Sequence, residues 1–299
     1  MLPFLFLMID DFVEYLRHEK RFSPHTIKSY LNDVNQFKEY SDTVFAGWSW
    51  KNVNHHDIRG WIIQLLESGN SEKSVNRKLS TLKTLFNFLV RKGEVAKNPA
   101  KLIQGPKIPK RIPIFIEDQK LNLLFDEWKE PNNYKEYLAM VVMELFYTTG
   151  IRLSELIVLK DFDIAKDSIK VTGKGNKQRL LPLLPDVYNR LQDYISYRNS
   201  FFKKKDDYLF LTIKGNKLYS KLVYNLVNTY LSGATTMSRK SPHILRHSFA
   251  THLLNNGAEL NAIKDLLGHT GLAATQIYTH NTIDKLRKSY ITAHPRAKK

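Results

Sequence analysis

The 299-residue chain contains no cysteine. Disulfide bonds, thiolate zinc sites and cysteine nucleophiles are therefore excluded, and a cytoplasmic location is expected. Long apolar runs are absent too, since none approaches the roughly 20 residues needed to span a bilayer. The apolar start MLPFLFLM is short, lacks a basic region and leads directly into Asp10 and Asp11, so it does not predict a signal peptide.

Acidic residues are few relative to basic ones. The chain has 46 Lys and Arg against 29 Asp and Glu, which gives a net charge of +17. This excess favours a polyanionic partner. Because the basic residues are spread along the chain, nucleic acid is a better fit than a membrane surface.

The first hundred residues predict four helices joined by short polar segments. Capping residues and apolar periodicity place them at about 9–19, 24–40, 57–67 and 71–93. In two of them basic and hydroxyl side chains alternate with apolar ones, which indicates either a DNA-contacting face or a solvated one. These side chains are His25, Thr26, Lys28, Ser29 and Tyr30 in the second helix and Asn76, Arg77, Lys78, Ser80, Thr81 and Lys83 in the fourth. Residues 1–100 are therefore predicted to form a four-helix domain, and DNA binding is one of the two interpretations of these faces.

A proline-rich, basic segment follows this helical region. KNPAKLIQGPKIPKRIP, residues 97–113, has four prolines and little apolar periodicity, which is typical of a linker. We predict a basic linker at residues 101–113, followed by a second domain at residues 114–299. Such a linker can contact DNA phosphates while the two domains close around a duplex. A solvated connection without that role is the alternative.

The second half predicts mostly helices and one β-hairpin. Helical patterns cover about 116–127, 134–149, 152–159, 185–197, 217–231, 260–267 and 282–289. SIKVTGKGNKQRLLPL alternates apolar and polar residues on both sides of a turn at 173–176, which is typical of a hairpin with a lysine at its tip. The predicted fold class is therefore mainly α, with a small β-hairpin in the second domain.

The stretch SPHILRHSFATHLL, residues 241–254, predicts a further helix with an anion-binding face. Ser241 and Pro242 suit a helix start, and Gly257 suits its end. His243, Arg246 and His247 share one face near that start, whereas His252 points to the opposite face. Backbone N–H groups at the helix start add donors for an anion such as phosphate. Polar surface residues and a zinc pair of His243 with His247 remain alternatives.

Three other segments supply groups suited to phosphate chemistry. In TTGIRLSELIVL, Arg152 follows a glycine and precedes Glu155, whose carboxylate can orient the guanidinium. Lys174 lies in the glycine-rich turn, and LLGHTGLAATQIYTH contains His269 and Tyr278. Ordinary structural explanations remain open as well: a surface ion pair for Arg152 with Glu155, a plain hairpin loop for Lys174 and a packed aromatic ring for Tyr278.

Taken in order, TTGIRLSEL, GKGNKQR, HILRH, LLGH and QIYTH resemble the motif series of the tyrosine site-specific recombinases, the phage integrase family. SPHTIKSYLNDVNQF and VNRKLSTLKTLFNFLVRKGEVAKNPAKLIQGPK are similar to the family's SAM-like core-binding domain and its linker. The total length resembles the Xer branch. The resemblance covers nearly the whole chain and implies a two-domain DNA clamp whose second domain is catalytic.

The resemblance also implies a role for each of six residues. Tyr278 is then the nucleophile, Arg152 and Arg246 hold the scissile phosphate, and three further residues complete the site: Lys174, His243 and His269. His243 is the candidate proton acceptor, Lys174 protonates the departing 5′ oxygen, and His269 donates to a phosphate oxygen. The product is a 3′-phosphotyrosyl link, and neither a metal, ATP nor another cofactor is implied.

The expected partner is double-stranded DNA at a specific recombination site, bound by a homo- or hetero-tetramer on two duplexes. A second recombinase and a DNA translocase are possible further partners, and a membrane is not. The C-terminal segment has apolar residues at helical spacing that would suit docking on a neighbouring protomer, unless the helix folds back on its own domain. These residues are Ile283, Leu286, Tyr290 and Ile291.

The expected biological role is Xer-like resolution of chromosome or plasmid dimers. Integration of a mobile genetic element uses the same chemistry and is the alternative. Three further hypotheses remain: a topoisomerase with the same chemistry, a DNA-binding protein that never cuts, and a zinc hydrolase that uses His243, His247 and a distant carboxylate.

Overall fold

The computed structural model describes residues 2–45, 47–109, 114–128, 130–173, 176–202, 206–234, 240–268 and 280–298, with the backbone alone at 2–7, 233–234, 280–285 and 298. The chain folds into two compact units, residues 1–111 and 112–299. Each unit has an apolar core of its own. In this described part of the chain, no helix is both long and apolar enough to cross a membrane.

The first unit is helical, as predicted. Its helices are α1 (Leu2–Glu14, continued by a π-helical turn at Tyr15–Glu19), α2 (Pro24–Val44), α3 (His55–Glu67) and α4 (Glu72–Arg91). Ser23 and Ser71 cap α2 and α4 through their side chains. Helix α3 begins two residues before the predicted start, because Asn54 accepts hydrogen bonds from His56 N and Asp57 N while Asp57 accepts one from Asn54 N.

A buried carboxylate joins α2 to α4. Asp33 is 1% exposed and accepts hydrogen bonds from Arg77, from Lys78 Nζ at 3.3 Å and from Thr81 Oγ1 at 2.8 Å. Lys78 also donates to Gln36 Oε1. Of the α4 side chains proposed for a solvated or DNA-contacting face, Lys78 and Thr81 therefore lie inside the unit, whereas Arg77 is about half exposed.

The chain on both sides of the predicted linker start packs on α4. Ala100 and Ile103 are buried, and Lys83 Nζ donates to Ile103 O at 2.8 Å. Asn76 Nδ2 donates to Pro106 O, also at 2.8 Å. Two more polar side chains of α4 are therefore used within the unit, and the chain is held against this helix as far as Pro106.

We expect Asp33→Ala to lower the free energy of unfolding of the first unit by about 3–5 kcal/mol, because it leaves the buried Lys78 ammonium without its carboxylate. Urea denaturation of the full chain measures this loss. Asp11→Ala is the control, since the ion pair of Asp11 with Lys92 is about half exposed at both side chains and should contribute little. Equal, small changes in both variants would contradict the prediction.

The second unit consists mainly of helices packed around one buried helix. The helices are α5 (Asp118–Asp126), α6 (Tyr134–Thr149), α7 (Leu153–Leu156), α8 (Pro185–Phe201), α9 (Ser220–Ala234), α10 (Pro242–Asn255), α11 (Leu260–Leu267) and α12 (His280–Ala293). Every residue of α6 from Leu138 to Thr149 is buried, which explains why apolar residues occupy all sides of this helix, with Glu144 as the charged exception. Helices α8, α9 and α10 all pack against it.

Two predicted helices are shorter than expected for a local reason. Helix α7 ends at Leu156, where the backbone continues in tighter turns with Val158 N–H donating to Glu155 O, and the chain then reaches a β-bridge between Lys160 and Tyr208. Helix α9 starts at Ser220 instead of Lys217, because Lys217 forms a bridge with Leu211 and donates its backbone N–H to Asp206. Both bridges depend on strand-like pairing, which helical periodicity does not reveal.

The hairpin is present where the alternation predicts it. Strands β1 (Ser168–Thr172) and β2 (Gln178–Pro182) pair antiparallel, with Ile169 opposite Leu181 and Val171 opposite Arg179. These four side chains face the core of the unit. The described residues thus confirm a mainly helical fold with a small two-stranded sheet.

Helix α12 packs on its own unit in this single chain. Leu286, Tyr290 and Ala293 are buried, and Asn256 Nδ2 donates to Ala293 O at 2.8 Å. Ile291 is 44% exposed, and the side chain of Ile283 lies outside the described residues. Exchange of this segment between protomers stays a prediction about the assembled complex.

Candidate active site

Arg152 is held by the segment that follows α6. Gly150 ends α6 with φ at 60°, in the left-handed region, and a Cβ there would lie 2.5 Å from Phe249 Cδ1, so only glycine fits. The Arg152 guanidinium donates to Glu155 Oε1 at 2.8 Å and to Gly268 O at 2.7 Å. Its side chain is about one third exposed, which leaves it accessible to a ligand.

Arg246 is held by two backbone carbonyls. From α10 it donates to Gly150 O, and to Leu267 O at 2.5 Å. The end of α11 therefore supplies one carbonyl to Arg152 and one to Arg246. The end of α6 positions both arginines as well, because Gly150 O accepts from Arg246 and Arg152 follows Gly150 by two residues in the chain. The two predicted phosphate-binding arginines are far apart in sequence and are brought together in this way.

The histidines of α10 lie where helical geometry predicts. His243 is exposed in the first turn, and His252 is buried on the opposite side, with Nδ1 3.0 Å from Tyr147 Oη. His247 Nε2 is buried and has no hydrogen-bond partner among the described residues. Ser241 occupies the N-cap position, although its side chain makes no capping hydrogen bond.

A third arginine, which the sequence analysis did not single out, lies beside these two. Arg179 on β2 donates from Nη1 to Glu155 Oε1 at 2.7 Å and from Nη2 to Glu155 Oε2 at 2.9 Å. Its Nε donates to Leu266 O at 3.0 Å. Arg179 and Leu181 are two positions apart on β2, so their side chains point to the same face of the strand, toward the core. An arginine at a core-facing position indicates that a buried carboxylate lies nearby.

The electrostatics of this cluster favour an anion. Burial, together with the positive charges of Arg152 and Arg179, lowers the pKa of Arg246. Burial acts to raise the pKa of Glu155, but hydrogen bonds and charge interactions with Arg179 and Arg152 more than offset it and hold that pKa below its usual value. Three guanidinium groups thus surround one carboxylate, and a bound phosphate would offset the remaining positive charge.

Three of the six predicted site residues, Lys174, His269 and Tyr278, lie outside the described residues. The structure therefore brings together Arg152 and Arg246, with His243 on the same helix as Arg246 and three positions before it. Among the described side chains, no three His, Asp or Glu are grouped so that they can hold a metal ion. The zinc alternative therefore finds no third ligand for His243 and His247 within that part of the chain.

Comparison with known proteins decides the family. The sequence matches the phage integrase family over residues 115–285 and the N-terminal SAM-like domain of phage integrases over residues 9–93. The chain belongs to the phage integrase family. It is accordingly a tyrosine site-specific recombinase, an enzyme that breaks and rejoins DNA strands. The predicted family and enzyme class are confirmed.

Relatives from this family match almost the full length. Tyrosine recombinase XerC of Oceanobacillus iheyensis is 39% identical over 301 residues, covering 97% of this chain and 97% of that protein. XerC of Bacillus subtilis is 34% identical over 294 residues, covering 96% and 95%. The chain is therefore an XerC-like member of the phage integrase family.

Solved recombinases have the same fold. The XerH recombinase bound to a palindromic difH substrate gives a TM-score of 0.71 at 22% identity, covering 94% of this chain and 82% of that one. The Tn1549 transposon integrase in complex with transposon right-end DNA gives 0.69 at 21% identity, covering 94% and 97%. At these identities the likeness concerns the fold alone.

Proposed function

We propose that the chain cuts and rejoins double-stranded DNA at a specific site through a 3′-phosphotyrosyl intermediate on Tyr278. The observation that carries this proposal is the convergence of Arg152 and Arg246 on the ends of α6 and α11. Among the described contacts each guanidinium uses two of its five N–H donors, so three of each remain for phosphate oxygens.

Each proposed group has one task in the transfer. The phenol oxygen of Tyr278 attacks phosphorus while His243 accepts its proton, because a free tyrosine with a pKa near 10 is a weak nucleophile. Arg152, Arg246 and His269 donate to the non-bridging oxygens, where negative charge develops. Lys174 protonates the 5′ oxygen as its bond to phosphorus breaks. Attack by the 5′-hydroxyl of another strand reverses these steps.

This scheme conserves the number of phosphoester bonds. One bond from phosphorus to the 5′ oxygen is exchanged for one bond to Tyr278, and the second step restores a DNA phosphodiester. No external energy source is required by that balance. The arginines and histidines supply the charge stabilisation that a metal ion supplies in other phosphoryl-transfer sites.

The biological role that fits best is Xer-like resolution of chromosome or plasmid dimers by a tetramer on two duplexes. Support comes from XerC relatives that are 33–39% identical over nearly their whole length. A mobile-element integrase shares the fold at about 20% identity and gives weaker support for integration. A second recombinase and a DNA translocase belong to the same proposal, as does exchange of the C-terminal segment between protomers.

We expect the protein to form an SDS-resistant adduct with sheared genomic DNA from its own host in the presence of EDTA. Sequencing the trapped DNA then identifies the target site. Nicked duplexes carrying that site, or the XerC site of the same genome, increase the yield because the released strand cannot religate. Loss of the adduct in EDTA would contradict the metal-free scheme. No adduct on nicked substrates, with DNA binding intact, would favour a DNA-binding protein that does not cut.

A further inference from the structure

We propose that Arg179 is a positioning residue of the active site, which sets the orientation of Arg152 by sharing Glu155 with it. This inference rests on the proposed function, because Arg152 is there a phosphate ligand. Arg179 itself is 7% exposed and donates three hydrogen bonds, two to Glu155 and one to Leu266 O, so its guanidinium is buried within the protein.

The contacts of Arg179 connect three of the segments that carry site residues. Arg179 lies on β2, the strand after Lys174, and Glu155 lies three positions after Arg152 on α7. Leu266 lies near the end of α11, and its carbonyl accepts a hydrogen bond from Arg179 Nε. In the sequence, Leu266 precedes His269 by three positions. A single guanidinium thus fixes the distances between the hairpin, α7 and the end of α11.

Two glycines leave room for this ion pair. A Cβ on Gly173 would lie 3.2 Å from Glu155 Oε1, and one on Gly268 would lie 3.2 Å from Cδ, Nε and Cζ of Arg179. The backbone on both sides therefore packs directly against the pair. Gly268 is also the residue whose carbonyl accepts from Arg152, so movement of Arg179 would move a contact of Arg152.

Charge sharing gives Arg179 a role beyond packing. Glu155 Oε1 accepts from both Arg152 and Arg179, at 2.8 Å and 2.7 Å. Among the residues that the structure describes, the charged groups that face this carboxylate are Arg152 at the start of its own helix, Arg179 on β2 and Arg246 on α10. Without Arg179, the buried carboxylate would bind Arg152 alone, and the guanidinium would be drawn away from a phosphate.

The test measures the rate of Tyr278 adduct formation on a nicked duplex at saturating protein, and separately the dissociation constant for that DNA. We expect Arg179→Met to lower the rate by about 100-fold, as a small misplacement of a catalytic group does, with little change in DNA affinity. Arg179→Lys keeps the charge but not the paired geometry, and should recover part of the rate.

A double-mutant cycle tests whether Arg179 acts through Glu155. If it does, Glu155→Gln combined with Arg179→Met should be no slower than Glu155→Gln alone. The rate of Arg179→Met relative to that of the wild type should also fall as the pH is lowered, because burial, no longer offset by Arg179, raises the pKa of Glu155 and favours its protonated form. A rate equal to wild type, or fully additive losses in the cycle, would overturn the proposal.

Arg190→Met is the matched control. Arg190 also pairs with a buried glutamate of this unit, Glu144, at 3.3 Å, but Glu144 binds no proposed site residue among the described contacts. We expect this variant to keep the cleavage rate even if its melting temperature falls. An equal loss of rate in both variants would indicate a merely structural role for Arg179.

Failure of the proposed function is distinguishable from failure of this inference. If the wild type forms no adduct, the tyrosine scheme fails, and the pairing is judged from the Glu155 carboxyl signal by 13C NMR. An upward shift of the Glu155 pKa in Arg179→Met then supports charge sharing, and an unchanged pKa overturns it.

Discussion

Tyr278→Phe is expected to abolish the SDS-resistant adduct while leaving DNA binding intact. A phenyl ring has no oxygen to form the phosphoester, so no covalent step remains for it to make. Affinity for duplex DNA depends mainly on phosphate contacts of basic side chains, none of which this substitution removes. Gel electrophoresis in SDS measures the adduct, and a mobility shift without SDS measures binding.

Tyr290→Phe is the matched control for the loss of a hydroxyl. Tyr290 lies on α12 and is 1% exposed, and its hydroxyl has no hydrogen-bond partner among the described residues. Burial raises the pKa of Tyr290, which disfavours a phenolate there. This variant should form the adduct at a normal rate. An adduct in Tyr278→Phe that disappears in Tyr290→Phe would mean that the nucleophile had been misassigned.

Local sequence signals were sufficient for the elements that carry the site. The hairpin follows from alternation around a glycine-rich turn, and the two faces of α10 follow from helical periodicity alone. Arg246 and the buried His252 lie on the faces that this periodicity assigns. These features depend on residues a few positions apart, which is the range over which a sequence pattern is informative.

The remaining features of the site depend on contacts between distant segments. The carbonyls that orient Arg152 and Arg246 come from residues up to 116 positions away, and a backbone acceptor leaves no mark on the sequence. The inward orientation of Lys78 on α4 likewise depends on Asp33, 45 positions earlier. Arg179 differs from these residues, because the alternation of the strand places it on the core-facing side. A charged side chain there requires a buried partner, so the sequence alone indicates that such a partner exists.

We expect Arg246→Lys to lower the rate of adduct formation by about 10³-fold, the upper range for removing a preorganised donor from an oxyanion site. The guanidinium reaches Gly150 O and Leu267 O at once and still has donors for phosphate. An ammonium has three donors around one atom and cannot span both carbonyls in the same geometry. DNA affinity should change little, because the positive charge is kept.

Arg287→Lys is the control for this substitution, since Arg287 forms a partly exposed ion pair with Asp167 and contacts neither α7 nor α10 among its described hydrogen bonds. Its adduct rate should equal that of the wild type. A near-normal rate in Arg246→Lys would mean that charge alone suffices at this position. The two carbonyl contacts would then stabilise the fold without orienting the phosphate, and the convergence of Arg152 and Arg246 would lose its mechanistic meaning.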